Sequence, residues 1–452
     1  MTKSDISLGT KIIFGTGEIP IVAAKTVMSI LFLYYLTDVV DIPPAIAGTI
    51  FMLGRIWDAV NDPLMGIISD RTRTRWGRRR PYFLFTALPM GALFIIMFYP
   101  YAIADPLLRA CAYGLAYIAF TTALTAYVVP YLGLMSELTD DYSERTSINN
   151  WRIVFSLVFG LAAAVLPKML ADSYDDAQRG YLTASLTVAA AVTIFPVVLF
   201  AGIRERARPP APRAGLEVFR HARAVIANKA FRSLLLIYVG CFAGINVIEG
   251  FVVYYMKYWI GREDEMPILF VCVVLSSLVS LPAWGALSRR IGKERTVIGG
   301  LGLWAVTQLL WIPLTPATPS SVVYLVGVVV GLGYGCAHVL PWAMFPDVID
   351  YDELETGERR EGLYSGVMTF AMKTGNALAL WLIGWILQLS GYVANAEQTP
   401  TALGAIHYTM AAAPLLFIII GLVAATKYPI TRDRYTEIRA ALDERHAAER
   451  PS

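Results

Sequence analysis

The sequence predicts an all-α membrane protein with about twelve transmembrane helices in two six-helix halves. Three observations support this fold class. The chain of 452 residues is 56% hydrophobic and only 16% charged, with a mean hydropathy of +0.54, whereas soluble domains are about 25% charged. Long apolar runs recur along its length, and one long polar stretch divides them into two groups. The net charge of +3 is too small to indicate a partner.

The apolar runs give the order of the predicted helices. The first group lies at about 10–38, 43–69, 81–101, 106–135, 146–170 and 179–203. The second group lies at about 229–260, 266–288, 295–314, 319–347, 361–390 and 401–427. The first run is long enough to remain as a span rather than to be a cleaved signal. All four cysteines lie in apolar stretches at no motif spacing, so we expect buried packing residues.

Lysine and arginine are distributed unevenly between the loops. The loop after the second run reads DRTRTRWGRRRP, and the connections after the sixth and eighth runs are also rich in arginine. Loops of the other parity, such as TDVVDIPP and TPATPSS, contain neither residue. The positive-inside rule therefore predicts that both termini and the arginine-rich loops lie in the cytoplasm. We expect the chain to reside in a bacterial inner membrane.

The polar stretch 204–228 divides an N-terminal half, 1–203, from a C-terminal half, 229–427. An internal echo supports two related halves, because GIISDRTRTRWGRRRP after the second run is answered by GALSRRIGKERT after the eighth. The tail 428–452 is charged and amphipathic, and it is either a cytoplasmic helix or a frayed end. No function is assigned to it.

The densest group of charges within a predicted span is LGRIWDAVNDPLMGIISD on the second helix. Asp58, Asn61 and Asp62 share one helical face there, because residues three and four apart are neighbours. Two carboxylates and an amide oxygen are hard donors that suit Na⁺ or a shared proton. A charge at mid-bilayer costs about 2.5–3.5 kcal/mol, so we predict a coupling-cation site. Arg55 could neutralise Asp58, and the alternative is a set of ion pairs with Lys373 or Arg152 that only hold helices together.

Lys373 on the eleventh helix lies in FAMKTGNALALW, several turns into the span. A lysine in such apolar surroundings needs a carboxylate partner, and Asp58 and Asp62 are the obvious ones. The alternative is a lysine whose ammonium reaches the membrane edge. We favour the partnered lysine because of its depth in the span.

Further polar residues could line a substrate cavity. Glu18 and Lys25 are seven residues apart on the first helix, hence on one face, and Glu249 lies on the seventh. A mixture of aromatic and polar side chains commonly binds sugars and other polar organic molecules. Aromatic residues also crowd membrane interfaces without binding anything. The aromatic candidates are Tyr34, Tyr35, Tyr254, Tyr255, Trp342 and Tyr364.

Charged clusters also occupy the predicted cytoplasmic side. The acidic run DVIDYDE follows the tenth apolar run and faces the same side as the arginine-rich loops. Ion pairs there could lock this face when the carrier opens outward and break when it opens inward. Solvated loops are the alternative, because exposed pairs contribute little. The predicted gate comprises Asp70, Arg71, Arg75, Arg78, Asp347 and Asp350.

These motifs resemble a known family. RIWDAVNDPLMGIISDRTRTRWGRRRPY resembles the signature of the glycoside–pentoside–hexuronide:cation symporters, the branch of the major facilitator superfamily that includes melibiose permease. FPDVIDYDELETGERREG followed by Lys373 is similar to the family's second signature. YYLTDVV and FVVYYMKYWIG are similar to its first- and seventh-span motifs. The resemblance covers nearly the whole chain and implies the major facilitator fold.

The resemblance also implies roles for particular residues. It places the cation site on Asp58, Asn61 and Asp62. It also places the family's lysine of the eleventh helix on Lys373 and its arginine of the fifth helix on Arg152. Melibiose-type members hold galactosyl hydroxyls with aspartates on the first and fourth spans. Their places here are taken by Val22 and Val128, which argues against a galactoside. Glu18 and Lys25 flank Val22, and Lys25 makes an anionic substrate such as a uronide conceivable. His338 falls where the family can have a sugar-facing aromatic residue.

The sequence therefore predicts a Na⁺- or H⁺-coupled symporter of a sugar or glycoside that works by alternating access. One alternative keeps the fold and carries an amphipathic substrate such as a lysolipid, which a more apolar cavity would suit. Another is a membrane sensor without flux. We expect no enzyme activity, no cofactor or metal beyond the coupling cation, no nucleic-acid partner and a monomer in the bilayer. The glycines of GTG at 15–17 lie at the start of a span, so they are not a phosphate loop.

Overall fold

The computed structural model describes residues 6–139, 142–205, 225–358 and 360–448. The regular structure in these ranges is helical, apart from an isolated bridge between Thr74 and Gly77. The chain forms two compact units, Met1–Gly215 with Tyr392–Glu397, and Leu216–Gly391 with Gln398–Ser452. Most of the predicted central loop 204–228, namely 206–224, lies outside the described residues.

The first unit consists of seven named α-helices. Asp105 and Asp176 cap two of them, since their carboxylates accept hydrogen bonds from backbone N–H groups of the first turn. Proline lies in the first turn of four of the helices, including the one that Asp105 caps, and its missing N–H costs nothing there. The helices are α1 (Leu8–Thr16), α2 (Ile19–Val27), α3 (Pro44–Arg71), α4 (Arg80–Met97), α5 (Pro106–Leu138), α6 (Tyr142–Asp172) and α7 (Ala177–Gly202).

The first apolar run is not one regular helix. It breaks at Gly17–Glu18, where Pro20 begins the next helix without an N–H to continue the ladder. Beyond α2 the chain widens into π-turns at Met28–Phe32 and Tyr35–Val39. The Tyr35 hydroxyl donates to the Phe98 carbonyl at 2.8 Å, which ties this irregular end to the end of α4.

The second unit repeats this device. Its helices are α8 (Lys229–Tyr254), α9 (Met266–Ile291), α10 (Lys293–Gln308), α11 (Ser320–Thr356), α12 (Glu361–Leu389), α13 (Pro400–Thr426) and α14 (Arg432–Ala448). A π-turn, Tyr255–Ile260, ends α8, and the Tyr255 hydroxyl donates to the Trp311 carbonyl at 2.8 Å. The similarity between the two halves seen in the sequence thus extends to a tyrosine, Tyr35 or Tyr255, that begins a π-turn in each unit.

Ten of the described helical segments are long and apolar enough to cross a membrane. Two further helices, α3 and α10, coincide with predicted spans but are not among these ten segments. α3 carries Arg55, Asp58 and Asp62 within its apolar sequence, and α10 is only 16 residues long. The all-helical membrane architecture is therefore confirmed, while the number twelve stays a prediction.

The C-terminal tail forms a helix, α14, that packs on the end of α11. Arg439 Nη1 lies 3.3 Å from Asp350 Oδ2, and Arg432 Nη1 donates to the Arg290 carbonyl at 2.6 Å. Of the two alternatives for the tail, a helix or a frayed end, the structure has the helix as far as residue 448.

Candidate functional site

A seam between α3 and α5 holds the carboxylates of the predicted cation site. The two helices approach closely at Gly54, where an added Cβ would lie only 2.0 Å from Tyr117 Cε1. The next turn is joined by the Trp57 indole N–H, which donates to Thr122 Oγ1 at 2.8 Å. The Thr122 hydroxyl donates in turn to the Ile118 carbonyl, so it acts as acceptor for Trp57 and as donor within α5.

One hydroxyl serves both carboxylates. Thr125 Oγ1 lies 2.7 Å from Asp58 Oδ1 and 3.3 Å from Asp62 Oδ1. A hydroxyl has a single proton, so it cannot donate fully to both at once. Two carboxylates that contact the same hydroxyl lie close together, and such a pair favours a bound cation or a proton. The geometry therefore brings the predicted pair together and adds Thr125, which no sequence pattern distinguishes from the other threonines on α5.

The surrounding polar atoms reinforce this pattern. Asn61 is buried with 9% exposure, and its Nδ2 has no hydrogen-bond partner among the described residues. The same holds for Nε of Arg55. Pro63 interrupts α3 directly after Asp62, and because proline has no N–H it gives the Ala59 carbonyl no helical hydrogen bond. The site is thus rich in polar atoms whose hydrogen-bonding capacity is only partly used.

Arg152 pairs with Glu18. Its Nη2 lies 2.8 Å and its Nε 3.0 Å from Glu18 Oε2, and its guanidinium lies 5.4 Å from the centre of the Tyr131 ring. Both side chains are about 85% buried, with 16% and 14% exposure. Arg152 is therefore paired with Glu18 in this structure. The alternative in which ion pairs with Lys373 or Arg152 only hold the helices together stays a prediction. Lys25 lies on α2 with an exposed side chain.

The second unit carries an aromatic ladder on two facing helices. Tyr334, His338 and Trp342 follow one another at helical spacing on α11. His338 stacks on Tyr334 with ring centres 5.4 Å apart and contacts Phe242 of α8 at 5.7 Å, and Trp342 contacts Tyr238 at 4.9 Å. The Tyr334 hydroxyl donates to Glu249 Oε1 at 3.2 Å. The structure thus brings Glu249, His338 and Trp342 together.

A cavity opens beside this ladder, between α11 and α12. Two aromatic rings and two thioethers supply its apolar wall, and two hydroxyls supply its polar groups. Lys373 follows directly after one of the lining residues and is half-buried. The lining residues are Trp342, Phe345, Ser365, Met368, Thr369 and Met372.

The arginine-rich loop of the first unit is organised around acids. Asp70 lies 3.2 Å from Arg79 Nη2 and 3.9 Å from Arg78 Nη1. Glu205 accepts hydrogen bonds from the backbone N–H groups of Arg78 and Arg79, both at 2.8 Å, and of Arg80 at 3.3 Å. Sequence reasoning missed Glu205, which lies after α7. Its carboxylate provides a negative charge at the N-terminus of α4, where the helix dipole favours one. Its close approach requires Gly77, which has φ +109°.

The remaining members of the predicted gate are placed as follows. Arg71 ends α3 with an exposed side chain, and Arg75 lies over the Trp76 ring at 4.9 Å. In the second unit Asp347 is 2.7 Å from Lys293 Nζ, and Asp350 pairs with Arg439 of α14. These acids therefore have partners within their own unit.

One more ion pair, beyond the members of the predicted gate, was not predicted. Arg360 Nη2 lies 2.7 Å from Asp352 Oδ1, which also accepts from the Tyr364 hydroxyl at 2.6 Å. The hydrogen bonds to Asp352 raise the pKa of Arg360 above its ordinary value. Within the described ranges, no group of three or more His, Cys, Asp or Glu side chains is placed to hold a metal ion.

A family model described as "MFS/sugar transport protein" matches residues 13–432. The chain belongs to this family. The predicted membership of the symporter branch is confirmed, and the protein is an integral membrane transporter of the major facilitator type.

Individual relatives agree along nearly the whole chain. It is 27% identical to the putative glycoside/cation symporter YagG of Escherichia coli (99% of this chain, 97% of the relative). It is also 27% identical to the sodium-dependent lysophosphatidylcholine symporter 1-A of Danio rerio, over 96% of this chain and 87% of the relative. A crystal structure of the nucleoside transporter NupG is similar in fold, with a TM-score of 0.67 at 11% identity over 93% and 98% of the chains.

Proposed function

We propose that this family member is a cation-coupled symporter of a sugar or glycoside that works by alternating access in a bacterial inner membrane. The observation that carries the proposal is the convergence of Asp58 and Asp62 on one hydroxyl halfway along α3. Charges so far from a helix end are costly in a bilayer and indicate function. The name of the relative YagG, a putative glycoside/cation symporter, supports both the coupling and the substrate class.

The topology is part of the proposal. α3 and α10 complete twelve spans, the halves 1–203 and 229–427 move relative to each other, and both termini lie in the cytoplasm. In this scheme the pairs around Asp70, Asp347 and Asp350 belong to the cytoplasmic side, where they strengthen or break as that face closes or opens.

The driving force is adequate. One positive charge that crosses about 100 mV releases about 2.3 kcal/mol. Because about 1.4 kcal/mol corresponds to a tenfold concentration ratio, the cation supports an accumulation of about 40-fold. Na⁺ would use the oxygens of both carboxylates and Thr125, whereas a proton would need only one carboxylate.

Substrate recognition is assigned to the Glu18–Arg152 pair with Lys25 in the first unit, and to Glu249, His338 and Trp342 with Lys373 in the second. The rings offer stacking faces and the charged groups offer hydrogen bonds to hydroxyls or to an acid group. A second candidate substrate is an amphipathic lipid, because Phe345, Met368 and Met372 give the second unit an adaptable apolar wall. The lysophosphatidylcholine symporter among the relatives belongs to this class.

The test is a transient-current measurement on purified protein in proteoliposomes adsorbed to a solid support. Glycosides, pentoses, uronides and lysolipids are pulsed with and without Na⁺ at two pH values, for wild type and for Asp62→Asn. We expect a current for one sugar class that needs a cation and disappears in the variant. Current with lysolipids alone would favour the second candidate. Bound substrate that never crosses the sealed membrane, or a fully active Asp62→Asn, would contradict symport through this site.

A further inference from the structure

Tyr117 is held rigidly in the seam between α3 and α5. Its side chain is fully buried. The ring lies 5.5 Å from Phe32 and 5.3 Å from Phe51, centre to centre, and its edge lies directly on Gly54. With aromatic rings on one side and backbone on the other, the hydroxyl has little freedom to swing towards another partner.

The hydroxyl of Tyr117 is exceptional among the buried tyrosines of α5. Tyr113, Tyr127 and Tyr131 donate to the carbonyls of Tyr99, Gly17 and Phe14 at 2.7, 2.8 and 2.9 Å. The Tyr117 hydroxyl has no hydrogen-bond partner among the described residues. A buried hydroxyl without a partner costs about 1–3 kcal/mol, so its presence requires a reason other than packing. Phenylalanine would pack equally well.

The position of this hydroxyl points to the carboxylates. Gly54, which the ring touches, lies one helical turn before Asp58 on α3. Tyr117 and Thr125 lie eight residues apart on α5 and so share a face. The hydroxyl is within electrostatic range of Asp58 and Arg55. It is therefore a donor next to the two-carboxylate site, on the same helix as Thr125.

We propose that Tyr117 is a positioning residue of the cation site, and that its hydroxyl donates to Asp58 when a cation is bound. The inference rests on the proposed cation coupling. A cation held between Asp58 and Asp62 draws one oxygen of each towards itself and engages the lone pairs of Thr125. The Tyr117 hydroxyl, which has no hydrogen-bond partner among the described residues, can then donate to the Asp58 carboxylate without a cost in side-chain ordering.

The experiment is a thermal-unfolding titration of the full-length protein in detergent, which requires no knowledge of the sugar. The melting temperature is recorded against Na⁺, Li⁺ and pH for wild type, Tyr117→Phe and Tyr127→Phe. The last variant is the matched control, because it removes the same atom from the same helix where that atom has a backbone partner.

The two variants should behave oppositely. Tyr117→Phe should melt no lower than wild type without cation, yet need about tenfold more cation for half of the stabilisation, as expected for a lost hydrogen bond to a charged group. Tyr127→Phe should melt lower and keep the wild-type midpoint. A cation midpoint unchanged in Tyr117→Phe would overturn the inference and leave cation coupling standing. A cation-free melting temperature as low as that of Tyr127→Phe would also overturn it, because the hydroxyl would then have a partner in the protein. A wild type that responds to no cation would instead remove the proposed coupling itself.

Discussion

The two units place their charged side chains at different positions along their helices. In the first unit, Asp58 and Asp62 lie near the middle of α3, and Arg152 pairs with Glu18 at the break before α2. In the second unit, Asp347 and Asp350 lie in the last ten residues of α11, and their partners are at the start of α10 and on α14. Charges at mid-helix lie deep in the bilayer and are costly there, whereas these two acids lie at a helix end and are paired.

The middle of the second unit is aromatic instead. Tyr334, His338 and Trp342 occupy successive turns of α11 that lie before its acidic end. In the proposed mechanism, the first unit binds the cation and the second offers ring faces to the substrate. In the same proposal, the acids at the end of α11 belong to the cytoplasmic contacts rather than to the binding of either ligand.

The largest effect should come from Asp58→Asn. It removes one of the two carboxylates of the proposed cation site, so we expect cation-driven uptake to fall about a hundredfold or more. The matched control is Asp350→Asn, which removes an acid at a helix end whose partner Arg439 is 45% exposed. Such a partly exposed pair contributes little, so uptake should stay within about threefold of wild type if the comparison holds. Uptake into proteoliposomes under a Na⁺ or pH gradient measures both. Equal losses in the two variants would contradict the division by position.

A second large effect concerns the stability of the first unit. Arg152→Gln leaves the Glu18 carboxylate buried without its partner, and we expect a loss of about 3–5 kcal/mol in the free energy of unfolding. The double variant Glu18→Gln/Arg152→Gln should recover much of it because no buried charge remains. Denaturant titration of the three proteins measures this. The exposed pair Arg434–Glu437, with 52% and 64% exposure, provides the control, since its removal should change stability by less than about 1 kcal/mol.

The helices were largely predictable because every apolar run in the sequence overlaps a helix of the structure. The carboxylate pair was predictable too, since charge within a span and four-residue spacing are both visible in sequence. Thr125 and Glu205 were not. The first is one of several threonines on α5, and only the pairing of α5 with α3 selects it. The second meets backbone N–H groups, which have no sequence signature.

Irregular backbone was also beyond sequence reasoning. The π-turns after α2 and α8 lie within apolar runs of ordinary composition, and only the tertiary hydrogen bonds of Tyr35 and Tyr255 mark them. The pairing of Arg152 with Glu18 instead of the α3 carboxylates was open for a similar reason. Spacing along one helix reveals neighbours on that helix, but the partner on another helix depends on how the two pack.

A moderate effect should follow from Glu205→Ala. The carboxylate accepts three backbone N–H groups at the start of α4, so its loss leaves them without an anionic cap, at about 1–2 kcal/mol of stability. The second unit offers the corresponding variant Arg432→Ala, which removes a guanidinium from the Arg290 carbonyl. Thermal unfolding of both should show a loss for each. If Glu205→Ala unfolds at the wild-type temperature, the carboxylate does not organise the arginine-rich loop.

The smallest effects should be equal in the two units. Tyr35→Phe and Tyr255→Phe each remove one hydroxyl that donates at 2.8 Å to a carbonyl at the end of a neighbouring helix. Each variant should lose about 1 kcal/mol of stability, because one hydrogen bond is lost and the ring stays in place. Uptake should be reduced alike in both if the π-turns take part in the movement of the two halves. A loss of uptake confined to Tyr35→Phe, at equal stability, would mean that only the irregular end of the first span takes part in transport. The similarity between the two units would then be structural and not functional.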